Sequence, residues 1–287
     1  MSGGPQARLL ADGQRLHLQH GPIDLVIGAD GDRSAAFAAA TRRFATILPE
    51  LVAELALLRR PVGAPPLGTV ARRMVAATLP FGAAHFVTPM ASVAGAVAEE
   101  VLAAMLAAAQ LDRAYVNNGG DIALHLCPGQ SFRLAIADPR NRPLGTLQIK
   151  AGDGIGGIAT SGLGGRSLSF GIADAVTVLA ATAAQADAAA TLIANQVNLP
   201  GHPAIHRAPA NRVQPDSDLG DRLIVTHVDP LGPAEVAAAM NHGVRAAEGF
   251  RQAGHLIDAC LFLNGQCRAL GQSFTHSSPE QRTLAHA

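Results

Sequence analysis

The stretch Ala184-Ala-Gln-Ala-Asp187-Ala-Ala-Ala-Thr191-Leu-Ile-Ala-Asn195 is helix-sized and almost without bulk, and the rest of the chain is organised around it. Asp187 and Thr191 stand at i and i+4, which on a helix puts both side chains on one face, one turn apart. Two hard oxygen donors among alanines suit a cation. Magnesium takes such donors and completes its shell with water and substrate phosphates. The same residues also suit an ordinary helix N-terminus, with Asp187 favoured by the dipole and Thr191 facing a neighbour. Spacing alone leaves both readings open.

Several function classes drop out on composition. The formal net charge is zero and no basic stripe stands out, so nucleic acid is not an expected partner. The chain has no Trp and a single Tyr, Tyr115, which also argues against base-stacking platforms. Cys127, Cys260 and Cys267 form no CxxC pair, which points to a reducing compartment and no disulfide framework. Met1 to Arg15 lacks an apolar core of signal-peptide length, and no later run is free of charges and breakers over a membrane span. A cytoplasmic protein with no membrane partner is expected.

Arg15–His20 and Ile23–Ile27 alternate around Gly21-Pro22, a hairpin pattern. Ser34 is placed to cap a helix to about Leu58, with Pro49 kinking it or starting a second one. A loop over Val62–Leu67 and a helix over Thr69–Thr78 follow. Met90 to about Gln110 reads as a helix whose first turns are Ala, Ser and Gly, open to close approach by another element or by a ligand. Ala114–Asn118 and Ile122–Leu126 read as strands joined through Gly119-Gly120-Asp121, a tight turn whose residues tolerate positive φ. Phe132–Ile136 and Leu144–Ile149 are further strands on either side of Asp138-Pro139.

Gly154-Ile-Gly-Gly-Ile-Ala159 fits G-x-G-x-x-A, but more glycines follow at Gly162, Gly164 and Gly165 where a helix would have to open. A dinucleotide fingerprint is therefore not expected. Asp174–Leu179 is a buried strand leading into the Asp187 helix. After Asn198 a long polar loop is expected, and within it His202 and His206 resemble a metal pair only in spacing, since Pro203 disfavours a helix. Arg222–Val228 is a strand, Gly232 to about Gly254 a helix, and Leu256–Leu263 a strand with an Asn264-Gly265 hairpin turn. Without a regular βα repeat, the pattern predicts α+β with largely antiparallel sheet packed with helices. Residues 1–271 are expected to form one domain and Gln272–Ala287 a disordered tail.

Four segments in this order resemble the ApbE-like family of FAD:protein FMN transferases. Val116-Asn-Asn-Gly-Gly-Asp-Ile122 resembles its N-x-G-G-D-I turn, and Phe132–Pro139 its I-x-D-P strand. Ile158-Ala-Thr-Ser-Gly162 resembles A-T-S-G. Val176-Thr-Val-Leu-Ala180 with Ala186-Asp-Ala-Ala-Ala-Thr191 resembles V-T-V-x-A followed by A-D-A-x-x-T. The likeness spans about Pro89 to Asn198 and is strongest to a short, uncharacterised cytosolic branch marked by G-x-S-L-S-F-G-x-A-D-A, here Gly165–Ala175. It implies an ApbE-like fold and FAD as donor. It further implies magnesium at Asp187 and Thr191, and a flavin-nucleotide site lined by Asn118, Gly119, Gly120, Asp121, Thr160, Ser161 and Gly162.

The reaction implied is transfer of FMN to Ser or Thr of a flavoprotein acceptor, with AMP released. The alternative is a non-catalytic flavin or nucleotide binder, or an accessory factor for a flavoenzyme. A homodimer is a further expected partnership. Two departures stand out. The family's Lys-Gly pair and downstream Asp are replaced by Val93-Ala-Gly-Ala-Val-Ala-Glu99, and its H-I-I-D-P loop by Leu163–Gly171, without a histidine. No catalytic base is assigned; His85, His125 and Asp174 lie near the matched segments.

Overall fold

The computed structural model describes residues 4–61, 63–137, 143–165 and 167–275. The chain opens with β1 (Gln6–Leu9), β2 (Arg15–His20) and β3 (Ile23–Gly31), where alternation sends Leu16, Leu18, Leu25 and Ile27 to one buried face. Helix α1 (Arg33–Ala53) is capped by Asp32, whose carboxylate accepts from the Ala35 N–H at 3.2 Å, and not by Ser34. Asp32 is the better cap because its acceptor sits one step before the helix, facing the unpaired N–H groups. Pro49 neither ends nor restarts this helix. The break comes at Glu54, before α2 (Leu55–Leu58).

Helix α3 (Thr69–Thr78) and a 3₁₀ turn at Pro89–Ser92 lead into α4 (Val93–Ala108). Next come β4 (Leu111–Asn118), β5 (Asp121–Leu126), β6 (Ser131–Ala137), β7 (Pro143–Lys150), β8 (Gly157–Ser161) and β9 (Ala175–Ala180). Helix α5 (Ala183–Gln196) holds the Asp187 segment. The final third supplies β10 (Ile205–Pro209), α6 (Ala210–Val213), β11 (Leu223–Val228) and α7 (Pro233–Gln252), then β12 (Asp258–Leu263), β13 (Gln266–Leu270) and β14 (Phe274–Thr275).

The main sheet runs β1-β2-β3-β4-β5-β8-β9-β12-β13, with β14-β7-β6 and β10-β11 as two smaller sheets. Every pairing among the described residues is antiparallel, as the α+β reading requires. The helices cover one face of the main sheet, and an apolar cluster that includes Leu147, Ile149 and Phe274 of the three-stranded sheet covers the other. Strands β9 and β12 are therefore buried along their whole length.

Helix α5 is the hub. Its alanines at 183, 184, 186, 188, 189, 190 and 194 are buried, together with Leu192 and Ile193. Small side chains let neighbours come in to backbone distance. A Cβ on Gly95 of α4 would stand 2.3 Å from the Ala183 carbonyl oxygen, and one on Gly157 of β8 would stand 2.2 Å from the Ala183 nitrogen. The glycines of the G-x-G-x-x-A stretch thus open a strand and admit the start of α5, which disposes of the dinucleotide reading.

Carboxylates on α4 tie four helices together. Glu99 accepts from the Ala184 N–H at 2.7 Å, closing the N-terminus of α5, and pairs with Arg73 at 3.1 Å. Glu100 meets Arg43 at 2.9 Å, Arg73 at 3.0 Å and the Thr69 hydroxyl at 2.6 Å. Burial opposes the Glu100 charge, but these donors outweigh it and hold its carboxyl below the usual range. Pro89–Ala108 is long and apolar enough to cross a membrane, yet it carries both glutamates and packs against the core of this fold. Replacing Glu99 with alanine is expected to cost about 2–3 kcal/mol, since it frees a helix-terminal N–H and one partner of Arg73. Urea denaturation of the two proteins measures it.

Two other expectations change. The stretch after Asn198 contains β10 and α6, because Ile205–Pro209 finds its partner in Leu223–Val228. The fold also continues past residue 271: the Gln272 and Ser273 N–H groups donate to Asp258 at 3.0 and 2.8 Å, and β14 pairs with β7. Residues 276–287 lie outside the described residues, as do Asp138 and Pro139.

Candidate functional site

The first turns of α4, the β4–β5 turn, the end of β8 and the N-terminal half of α5 meet at one point. Asp187 Oδ2 accepts from the Gly95 N–H at 3.0 Å. Asn118, buried at the end of β4, donates from Nδ2 to the Ala94 carbonyl at 3.1 Å. Asp121 Oδ1 accepts from the Thr160 N–H at 3.3 Å, and the Thr160 and Thr177 hydroxyls lie 2.9 Å apart. Thr191 sits one helical turn beyond Asp187 and is half-buried.

The electrostatics single out Asp187. Its side chain lies deep among the packed elements with an edge still open to solvent. Burial, then the nearby Asp121 carboxylate, push its carboxyl well above the usual range, against the Gly95 and Ala94 N–H groups that favour the charged form. No Lys or Arg enters that balance. Two neighbouring carboxylates, one of them buried, are a donor set that fits a hard divalent cation, which would reverse the raised pKa.

Other residues of the sequence reading fall differently. Gly119 is exposed, and Gly120 N–H is tied to Asn117 Oδ1 at 2.8 Å; both have positive φ, as a two-glycine turn demands. Ser161 ends β8, half-buried. Gly162 is buried with φ +150°, and a Cβ there would stand 2.6 Å from the Asp174 carbonyl oxygen. That side of its backbone faces the neighbouring loop, not an open pocket.

The three candidate bases have contacts of their own away from Asp187. His125 Nε2 lies 3.3 Å from the Leu111 carbonyl oxygen, and Asp174 Oδ2 accepts from the Asn264 N–H at 2.6 Å. His85 packs edge-on to Phe250 with ring centroids 5.6 Å apart. His202 and His206 part company: one meets Glu235 at 2.8 Å, the other Asp229 at 2.8 Å. Among the described residues no group of three His, Cys, Asp or Glu side chains is arranged to hold a metal.

Further along α5 lies a cavity of about 300 Å³, lined by His85, Phe86, Phe170, Asn195, Asn198 and His242 among others. Much hydrogen bonding holds Phe170 in its wall. Asn195 Oδ1 accepts the Phe170 N–H at 2.9 Å, while Arg207 and Asn198 donate to the Phe170 carbonyl at 2.7 and 2.9 Å. Opposite, the Arg222 guanidinium lies 3.4 Å from the Phe86 ring centroid. This wall belongs to the Gly165–Ala175 segment, whose role spacing alone did not disclose. Glu99, Gly95 and Thr177 were likewise missed, since each joins the site through a contact distant in sequence.

The nine-stranded sheet under an alanine-packed helix, with the Asn118–Asp121 turn at the end of its central strands β4 and β5, has the fold of the ApbE flavin transferases. The structure aligns with "Flavin Transferase ApbE from Vibrio cholerae" at a TM-score of 0.51 and 12% identity, covering 93% of this chain and 98% of that one. At that identity the likeness is one of fold. The family model described as "AbpE bacteria" matches residues 7–269, and the chain belongs to that family. A UPF0280 protein of Methanopyrus kandleri is 36% identical over 181 residues, 60% of this chain and 69% of the relative. Another, from Methanocella arvoryzae, is 41% identical over 129 residues, 45% of this chain and 50% of that protein's length.

Proposed function

We propose that this chain binds FAD together with magnesium at Asp187 and transfers FMN slowly to a Ser or Thr of a protein acceptor. The observation that carries the reading is the buried Asp187 carboxyl, raised by burial and by the neighbouring Asp121 carboxylate. Asp187, Asp121 and Thr191 would hold the ion. Bound there, magnesium neutralises charge on the diphosphate and helps to align it, most of what phosphoryl-type transfer requires.

The chain's own residues bind and orient. Gly95 N–H holds the Asp187 carboxylate, and Thr160 N–H holds that of Asp121. The cavity beside Phe86 and Phe170 lies about 12 Å along α5 from Asp187, eight residues at the helical rise. A flavin nucleotide is long enough to span that distance. The Phe86 and Phe170 rings among His and Asn side chains offer a planar ring both stacking and hydrogen-bonding surface. A base for the acceptor hydroxyl is missing from its usual place in the family, and general-base help contributes about 10²–10⁴-fold. Slow turnover follows. The missing family histidine also favours a second reading, a flavin binder that serves a flavoenzyme.

Single-turnover incubation of the full chain with FAD, magnesium and Ser- or Thr-bearing peptides separates them. Slow, magnesium-dependent formation of AMP and an FMN-peptide is the expected result. FAD retained intact supports the second reading, and FAD neither bound nor cleaved refutes both.

A further inference from the structure

Away from this site, Cys260 of β12 and Cys267 of β13 lie on neighbouring antiparallel strands joined by the Asn264-Gly265 turn. The register sets Cys260 opposite Ala269 and Cys267 opposite Phe262. The two thiols are therefore diagonal neighbours on one face of the sheet. Their sulfurs are 3.2 Å apart. A disulfide has its sulfurs at about 2.05 Å, so the two sulfurs must approach by about 1 Å more. Cys260 is buried, while Cys267 is half-exposed on a strand at the edge of the main sheet.

The surroundings sort the two sulfurs into different roles. Both belong to the apolar cluster around Phe262 and Phe274. A hydrogen bond from Cys260 holds the Cys267 thiol below its ordinary value, with help from Arg268, although burial opposes this. The same bond, with burial, pushes Cys260 up. The partly exposed sulfur, the more readily ionised of the two, thus stands beside a sheltered thiol. That is the arrangement in which oxidation is selective.

We propose that Cys260 and Cys267 form an oxidisable dithiol site, in which Cys267 reacts with a peroxide and Cys260 resolves the product into an intrachain disulfide. The Cys267 thiolate attacks one oxygen of hydrogen peroxide and breaks the O–O bond. Cys267 becomes a sulfenic acid, and the hydroxide released takes a proton to leave as water. The Cys260 sulfur then attacks the sulfenyl sulfur, forming the S–S bond. The sulfenic hydroxyl leaves with the Cys260 proton as a second water. One peroxide is reduced to two waters, and two thiols are oxidised to one disulfide.

The test uses the full chain, fully reduced and then exposed to hydrogen peroxide. Remaining thiols are alkylated and the peptides mapped by mass spectrometry. The expected result is a peptide pair joined through Cys260 and Cys267 that forms at least about 10-fold faster than Cys127 is lost. In Cys260→Ser the expected product is a sulfenic acid on Cys267, trapped by dimedone. Alkylation of both cysteines after peroxide treatment overturns the proposal, and so does a disulfide that involves Cys127 or links two chains. The wild-type map decides the matter even where the variant fails to fold.

Discussion

Asp187→Asn is expected to abolish magnesium-dependent FAD binding, by more than about 100-fold, while making the metal-free protein more stable near neutral pH. Losing even an outer partner of a metal ligand typically costs 10–100-fold in affinity, and Asp187 is proposed as a ligand itself. The stability gain follows from the sign of the pKa shift. Burial, then Asp121, raise the Asp187 carboxyl above its usual value of 3.8. An acid raised in the folded state contributes its stabilisation below the unfolded pKa and loses it as pH rises through the folded one. Asparagine has no charge to lose and can still accept from the Gly95 N–H. The Tm of the variant minus that of wild type, both in EDTA, should therefore grow as pH rises from about 4 towards 8. A constant difference would mean that Asp187 is already paired.

Gly95→Ala is expected to destabilise the protein by about 3 kcal/mol or more, lowering Tm by roughly 6–12 °C. The added methyl would lie 2.3 Å from a backbone oxygen of α5, with no flexible side chain to move aside. Helix α4 would have to lift away from α5. Lifting it strains three contacts at once: Gly95 N–H to Asp187, Asn118 to the Ala94 carbonyl, and Ala184 N–H to Glu99. A Tm change of less than about 2 °C would show that the two helices are not packed at backbone distance.

These two residues also mark how far the sequence could be read. Local pattern was enough for Thr69–Thr78, which is helical over the stretch that its spacing predicts, and for the β2–β3 and Asn264-Gly265 hairpins. Asp187 stood out because its partner in the pattern, Thr191, is one turn away. Gly95 did not, because it bonds to a residue 92 positions on, and Glu99 caps a helix 85 positions away. Periodicity carries no information about such distances. The same limit hid β10, whose partner β11 lies beyond a short helix and Pro215. The four-segment resemblance pointed to the family. What Gly156, Gly157 and Gly162 do in the fold, admitting neighbouring backbone, depends again on residues distant in sequence.

The central claim is that Asp187 and its surroundings hold a cation for a flavin nucleotide, and a fluorescence titration tests it most directly. FAD is titrated with the full chain in magnesium and again in EDTA, for wild type and for Asp187→Asn. Saturable binding by wild type in magnesium, lost in EDTA and lost in the variant under both conditions, is the predicted result. Equal binding in all four titrations would contradict the account, because the nucleotide would then be held without the metal and without Asp187.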